Sequence, residues 1–302
     1  MKKKHWFNIL LYASFIFLFI ALYNGDYFRI PKITSYWLPF VSFVFLLGGF
    51  LLEAFAWKSL LRIKGFQLSY REAIIASGLS VFTKYIPGKI MIVVSRSVYL
   101  NKTQGFSVKD VGVISLYSQL LNLLTGCVIG LVCVQFWQLN SWFILLFLAC
   151  FVSLFLVCFS PVFSVFLVFI FKRWFKKTVT IPTIRFSEFL PISYSFFLFW
   201  FSYAFGFWLL ANSLKGCSLL INDSLFYPSS MVAGVLALFS PGGIGIREGF
   251  LSYFLSSLSW NSSEIISLTI TTRLWFLVGE VLFFLTSLLL KLKTNAKANL
   301  AP

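Results

Sequence analysis

The chain has 302 residues, a formal net charge of +16, 59% hydrophobic residues and only 11% charged residues. Soluble domains carry roughly 25% charged residues, so this composition excludes a large soluble catalytic domain and indicates an integral membrane protein. The single histidine, His5, and five cysteines without a CxxC pair exclude a histidine-based catalytic site and argue against a metal site. We therefore expect neither a metal nor another cofactor.

Six apolar runs are each long enough to cross a bilayer as a helix, which takes about 20 residues. Backbone polar groups find no water inside lipid, so such runs predict α-helices and an all-α polytopic membrane protein. The first run follows three lysines but lacks the small-residue cleavage site of a signal peptide, so we predict that it is retained. The predicted spans are residues 6–23, 36–57, 111–137, 142–171, 192–210 and 265–290.

Loop charges predict the orientation of these spans, because loops rich in lysine and arginine stay in the cytoplasm. The loop charges predict a multi-pass protein of the inner membrane with both termini on the cytoplasmic side. They also favour contact with anionic lipid over contact with nucleic acid. The spans alternate correctly only if residues 72–100 enter and leave on the cytoplasmic side and residues 224–260 enter and leave outside. We predict a re-entrant hairpin in each of these two broken segments. The alternatives are two short spans or one tilted span per segment, and tilted spans would give eight spans in total.

Each broken segment contains a Pro-Gly pair, Pro87-Gly88 in the first and Pro241-Gly242 in the second. Proline removes a backbone donor and glycine permits positive φ, so a helix ends at each pair. Non-helical backbone at membrane depth is tolerated only inside protein or beside a water-filled cavity. Because the segments enter from opposite sides, we predict an inverted repeat with halves 1–138 and 139–302 in one transmembrane domain.

Candidate binding groups collect around the two breaks. The half-helix after each break starts with unpaired N–H groups and a partial positive charge, which suits phosphate. Arg273 and Glu280 share one helical face, either as an internal ion pair or as a wall of the substrate pathway. Glu248 either interacts favourably with the helix dipole or, like Glu280, carries a coupling proton. Glu53 is expected at the membrane–water interface beside Lys58. The candidate substrate-binding residues are Thr83, Lys84, Pro87, Gly88, Lys89, Arg96, Ser240, Pro241, Gly242, Gly243, Gly245, Arg247, Glu248, Arg273 and Glu280.

Two motifs resemble the signatures of a known family. The first is Lys84-Tyr85-Ile86-Pro87-Gly88-Lys89 with Arg96 downstream, and the second is SPGGIGIREG at residues 240–249. They resemble the lysylphosphatidylglycerol synthase transmembrane region family, also called flippase-like domain proteins, over essentially the whole chain. The resemblance implies the membrane half of enzymes that make and flip aminoacylated phosphatidylglycerol, or a stand-alone member. The soluble aminoacyl-transfer domain is missing from this sequence, so lipid aminoacylation by this chain alone is not expected.

The leading hypothesis is a flippase, not an enzyme, for an anionic phospholipid or a polyprenyl-phosphate-linked lipid. Its phosphate would lie between the two breaks, with hydrogen bonds from Thr83 and Ser240. No G-x-x-x-x-G-K-[ST] motif occurs, so movement would be downhill or ion-coupled. The runner-up is a membrane-embedded glycosyl or aminoacyl transferase, and a third hypothesis is a non-catalytic membrane subunit. Expected partners are the lipid and the bilayer, with a separate lipid-modifying enzyme and a homodimer left open.

Overall fold

The computed structural model describes residues 33–85, 91–138, 140–161, 165, 169, 184–214, 217–237, 243, 245–258 and 260–300, with side chains as far as residue 294. In this part of the chain the regular structure is helical, apart from an isolated antiparallel bridge between Ile33 and Leu214. The predicted all-α polytopic membrane fold is confirmed. The predicted first span, residues 6–23, lies outside the described residues.

Nine α-helices have their bounds within the described residues. Five of them, the first, fourth, fifth, sixth and ninth, are long and apolar enough to cross a membrane. In chain order the helices are α1 (Trp37–Ile63), α2 (Tyr70–Ser80), α3 (Met91–Gln104), α4 (Val108–Phe136), α5 (Ser141–Phe159), α6 (Phe186–Ala211), α7 (Phe226–Leu236), α8 (Ile246–Ser256) and α9 (Ser262–Leu300).

Helix α5 corrects one predicted boundary. The apolar run from residue 142 to residue 171 predicted a single span, but α5 ends at Phe159. Ser160 has extended backbone angles of φ −92° and ψ 156° because a residue that precedes proline disfavours the helical region, and Pro161 follows. The sequence holds this local signal, but the uniformly apolar composition concealed it.

Helices α1 and α6 form an antiparallel pair along the bundle. At one end the Lys64 ammonium lies 2.7 Å from a carboxylate oxygen of Glu188, and at the other end the Thr34 amide donates to the carbonyl of Ser213 over 2.8 Å. Between these ends Gly49 lies against the ring of Tyr203, so a larger residue would push the helices apart. The pair forms a closely packed wall beside the two broken segments.

The bundle has one strongly basic end. Arg71 Nη2 donates to the carbonyl oxygen of Leu290 over 2.8 Å, which brings the start of α2 to the C-terminal part of α9. The Lys64–Glu188 pair is at the same end, and Lys291 lies over the ring of Tyr99. We call this the basic end, and the end with Thr34 and Ser213 the opposite end.

The first broken segment is a helical hairpin that starts and finishes at the basic end. Its arms are α2, which continues as a 3-10 turn over Val81–Tyr85, and α3. Ser69 and Glu72 form a reciprocal capping box at the start of α2, with hydrogen bonds of 3.0 and 3.2 Å. Gln104, the last residue of α3, donates to the same Glu72 carboxylate. The two outer ends of this first hairpin therefore lie side by side.

The second broken segment is a hairpin that starts and finishes at the opposite end. Its arms are α7, which follows a 3-10 turn over Asn222–Leu225, and α8. Trp137 Nε1, just past the end of α4, donates to Asp223 over 3.0 Å. The rings of Phe226 and Phe254 stack at 5.6 Å, which joins the start of α7 to the end of α8. The second hairpin thus runs in the opposite sense to the first.

The α-helical parts of the hairpin arms have 11 to 14 residues, not counting the 3-10 turn that extends α2 to Tyr85. At 1.5 Å per residue each α-helical part is about 16–21 Å long, which is less than the roughly 30 Å of a bilayer core. This length agrees with the predicted re-entrant hairpins. The inverted repeat of residues 1–138 and 139–302 stays a prediction.

The orientation of the hairpins can be tested with single cysteines in a variant whose five cysteines are replaced. We expect Gln67→Cys and Thr103→Cys, at the exposed outer ends of the first hairpin, to react with a membrane-impermeant maleimide only after the cytoplasmic face is opened. Leu220→Cys and Ser257→Cys, beside the second hairpin, should react in intact cells. Opposite reactivity of Gln67→Cys and Thr103→Cys would instead support one tilted span.

Candidate functional site

The tips of the two hairpins meet around a central cavity. It has a volume of about 130 Å³ and is lined by Lys84, Tyr85 and Ile92 of the first hairpin and by Gly234 and Arg247 of the second. Because the hairpins start from opposite ends, the cavity lies where both of them stop. The described residues beside the two breaks therefore line one cavity, and the breaks themselves, Pro87-Gly88 and Pro241-Gly242, lie outside the described part of the chain.

Helix α9 supplies a third wall of the central cavity. Arg273, Phe276 and Glu280 occur at intervals of three and four residues, which places them on one face of the helix. Arg273 and Phe276 line the cavity, and Glu280 is fully buried behind it. This face is the only strongly polar stretch in the middle of an otherwise apolar span, within the part of α9 whose side chains are described.

Glu280 connects α9 to the tip of the first hairpin. Its carboxylate forms an ion pair with Lys84 and accepts a hydrogen bond from the hydroxyl of Tyr85 over 2.8 Å. The Lys84 ammonium also lies 4.6 Å from the centre of the Phe276 ring. A fully buried carboxylate is costly unless it is paired, and these contacts supply its partners.

Arg273 connects α9 to the second hairpin. Its guanidinium lies 3.6 Å from Glu248, and Glu248 in turn accepts a hydrogen bond from the Gly245 amide over 2.7 Å. Gly245 has a φ of +84°, so the chain turns sharply just before α8 begins. The sequence left open an ion pair between Arg273 and Glu280, but the structure pairs Arg273 with the second hairpin and Glu280 with the first.

Arg247 differs from the other central cations in its partners. Its guanidinium donates to the hydroxyl of Tyr227 over 2.5 Å and lies 4.8 Å from the centres of the Tyr227 and Phe276 rings. The side chain is 4% exposed. Among the described residues, no carboxylate lies within ion-pair distance of it. Its charge is therefore buried and held only by neutral groups in this part of the chain.

Close packing of two glycines sets the position of Arg247. A Cβ atom on Gly234 of α7 would lie 2.9 Å from the Cβ of Arg247, and a Cβ on Gly243 would lie 2.9 Å from the carbonyl oxygen of Gly234. Gly243 also has a φ of +72°. Only glycine at both positions lets the two arms approach so closely, which brings the start of α8 to the cavity.

A second cavity of about 140 Å³ lies beside the first and shares Lys84 and Gln119 with it. There Arg96 forms a bidentate pair with Glu53 at 2.8 and 3.0 Å, and Gln119 donates to Glu53 over 3.3 Å. The expected interfacial position of Glu53 beside Lys58 was wrong. Helix α1 extends ten residues, or about 15 Å, beyond Glu53, which leaves this carboxylate inside the bundle.

The structure brings together six of the predicted site residues: Lys84, Arg96, Arg247, Glu248, Arg273 and Glu280. Thr83 is buried beside them, but its hydroxyl donates to the carbonyl of Ser80 over 2.6 Å. Gly243 and Gly245 form the turn before α8. The predicted residues outside the described part of the chain are Pro87, Gly88, Lys89, Ser240, Pro241 and Gly242.

Sequence reasoning missed five contributors to the site, namely Glu53, Tyr85, Gln119, Tyr227 and Phe276. A signal existed for two of them. Phe276 lies between Arg273 and Glu280 on one helical face, and Gln119 is a polar residue inside a long apolar helix. Tyr85 and Tyr227 gave no such signal, since aromatic residues are abundant throughout the chain.

Comparison with known proteins gives one family. The family model described as lysylphosphatidylglycerol synthase TM region matches residues 6–282, which include both hairpins and the polar face of α9. No curated protein matches the chain significantly. The chain therefore belongs to the lysylphosphatidylglycerol synthase TM region family and is a multi-pass membrane protein tied to lipid modification or translocation.

Proposed function

We propose that the protein translocates an anionic phospholipid or a polyprenyl-phosphate-linked lipid across the cytoplasmic membrane, with the headgroup phosphate bound between the two hairpin tips. The observation that carries this proposal is the environment of Arg247. It is a buried guanidinium beside a cavity, without a carboxylate partner among the described residues. A buried charge is costly without a counter-charge, and a lipid phosphate would supply one.

The charge balance of the site supports an anionic ligand. Four cations, Lys84, Arg96, Arg247 and Arg273, surround the two cavities, against three carboxylates, Glu53, Glu248 and Glu280. Counted over these described residues, the site has one positive charge in excess. The excess belongs to Arg247, because the other three cations each have a carboxylate partner.

Arginine at this position also fits the shape of phosphate. Its planar guanidinium can give two parallel hydrogen bonds to phosphate oxygens. Arg247 is the second residue of α8, so the partial positive charge of the helix N-terminus acts at the same place. A phosphate that leaves its water on the way through the membrane needs such fixed partners.

The opposed hairpins suggest how the site could open to each side in turn. Each hairpin fills the bundle from one end only, so a movement of one tip would open the cavity to that end while the other tip keeps it closed. The contacts that would change are the ion pairs of α9 with the tips, Glu280 with Lys84 and Arg273 with Glu248. By the positive-inside rule, the basic end faces the cytoplasm, together with both termini.

The proposal is tested with purified protein in liposomes that contain phosphatidylglycerol with a fluorophore on one tail. We expect dithionite, which bleaches only the outer leaflet, to bleach nearly all of the fluorescence, compared with about half in protein-free liposomes. Phosphatidylcholine with the same labelled tail is the control and should stay about half protected. Mass spectrometry of the lipids reads out the alternatives. With an activated sugar or an aminoacyl-tRNA added as the donor, a new covalent lipid product would support the transferase. Bleaching that stays at about half, with no new product, would support the non-catalytic subunit.

A further inference from the structure

The second cavity contains polar groups that the phosphate site does not use. Ser77 is 2% exposed and its hydroxyl lines this cavity without a hydrogen-bond partner among the described residues. The side-chain carbonyl oxygen of Asn122, in the same wall, is also buried without a partner in that part of the chain. Buried polar groups in proteins are nearly always hydrogen-bonded, so these two groups are available to bind a polar ligand in the cavity.

The charges of the second cavity are already balanced. The Glu53 carboxylate accepts two hydrogen bonds from Arg96 and one from Gln119, and Arg96 is 2% exposed. An ammonium group that bound Glu53 would have to displace Arg96 and leave a buried guanidinium unpaired. A second anionic group would compete with Glu53 in the same way. The occupant that fits this cavity is therefore uncharged.

The remaining walls are aromatic. Trp200, Tyr203, Phe276 and Phe283 line the cavity together with the polar groups. Binding sites for small molecules combine such apolar walls with a few placed amide and hydroxyl groups. A volume of about 140 Å³ is far above the roughly 10–15 Å³ that one water requires, so the cavity can hold a small organic group. Glycerol and sugars combine hydroxyl groups with C–H surfaces that suit these walls.

We infer that the second cavity binds an uncharged, hydroxyl-bearing headgroup, a glycerol or a sugar, attached to the phosphate between the hairpin tips. This inference rests on the proposed function, because the two cavities share Lys84 and Gln119 as walls and so lie side by side. The substrate is then a phosphodiester lipid with a polyol headgroup. A headgroup hydroxyl donates to Asn122 and exchanges a hydrogen bond with Ser77.

The test compares three tail-labelled lipids in the dithionite assay. Phosphatidylglycerol carries the hydroxyl groups, phosphatidylethanol has the same charge without them, and lysyl-phosphatidylglycerol adds ammonium groups. We expect phosphatidylglycerol to move about tenfold faster than phosphatidylethanol, since two hydrogen bonds of about 0.7 kcal/mol each correspond to that factor. Lysyl-phosphatidylglycerol should also be slower than phosphatidylglycerol.

Variants assign the selectivity to the cavity. In Ser77→Ala combined with Asn122→Ala, the ratio of the phosphatidylglycerol rate to the phosphatidylethanol rate should fall to about one. Ser118→Ala is the matched control, because its buried hydroxyl also lacks a partner among the described residues but lies outside the lining of both cavities. It should keep the wild-type ratio. Melting temperatures of all variants show whether a lost ratio follows from unfolding.

Each outcome has a distinct meaning. Equal movement of phosphatidylglycerol and phosphatidylethanol by the wild type would overturn the headgroup inference, with water filling the cavity, but would leave the flippase proposal standing. Fastest movement of lysyl-phosphatidylglycerol would overturn it in favour of a cationic headgroup. If none of the three anionic or aminoacylated lipids moved, the proposed function itself would fail. If the folded double variant keeps the wild-type ratio of the phosphatidylglycerol rate to the phosphatidylethanol rate, Ser77 and Asn122 do not bind the headgroup.

Discussion

Replacement of Arg247 by alanine is expected to slow lipid translocation about thirtyfold or more, because loss of one partner from a buried charge pair costs at least about 2 kcal/mol. Arg247 is the central cation without a carboxylate partner in the described part of the chain, so the bound phosphate loses the group that is free to pair with it. The measurement is the dithionite rate for phosphatidylglycerol in liposomes with equal amounts of inserted protein.

The same variant should remain folded. Removal of the guanidinium breaks the hydrogen bond to Tyr227 and two ring contacts, which lowers the free energy of unfolding by about 1–3 kcal/mol. It leaves no carboxylate unpaired among the described residues. Arg247→Lys keeps the charge and loses the planar fork, so we expect intermediate activity. Tyr227→Phe is the matched control, since it removes the hydrogen bond and keeps the ring.

Two results would contradict this role of Arg247. Wild-type translocation by Arg247→Ala would show that the guanidinium does not bind the phosphate. Loss of activity together with a fall in melting temperature, with Tyr227→Phe showing the same loss, would indicate that Arg247 only holds α8 against α7.

Replacement of Glu280 by glutamine is expected to lower the free energy of unfolding by about 3 kcal/mol. Glutamine keeps the size of the side chain and still accepts a hydrogen bond from Tyr85, but it leaves the Lys84 ammonium without its carboxylate. Breaking a buried pair typically costs about 3–5 kcal/mol, and the lower value applies because 27% of the Lys84 side chain is exposed. Thermal unfolding in detergent measures the change.

A double-mutant cycle separates the ion pair from other effects. Lys84→Met in the Glu280→Gln background should restore most of the lost stability, with a coupling energy of about 2 kcal/mol, but not translocation, because the site has then lost a cation. Asp110→Asn is the control. It breaks the surface pair of Asp110 with Lys109, at 3.7 Å, and should cost about 0–1 kcal/mol. Additive effects of Lys84→Met and Glu280→Gln would exclude a direct pair between α9 and the first hairpin.

The sequence by itself determined the membrane character, the approximate positions of four of the long helices, and the interruption of helix in each of the two broken segments. These features depend on neighbours along the chain. An apolar run of about 20 residues pairs its own backbone groups, and proline with glycine ends a helix wherever it lies. The capping box of Ser69 and Glu72 is local in the same way. The early end of α5 also has a local cause, because Pro161 follows Ser160, although the apolar run alone predicted a longer helix.

The partners of the buried charges were decided only by the tertiary structure. Tyr85 and Glu280 are 195 residues apart in sequence, and Arg96 and Glu53 are 43 apart, so no spacing rule along the chain joins them. The close contact of Gly234 with Arg247 depends equally on the packing of α7 against α8, which no spacing rule along the chain gives. Charge and spacing showed which residues were unusual for a membrane span. Only the packing of α9 against two opposed hairpins decided which cations are neutralised and which one, Arg247, has no carboxylate partner among the described residues.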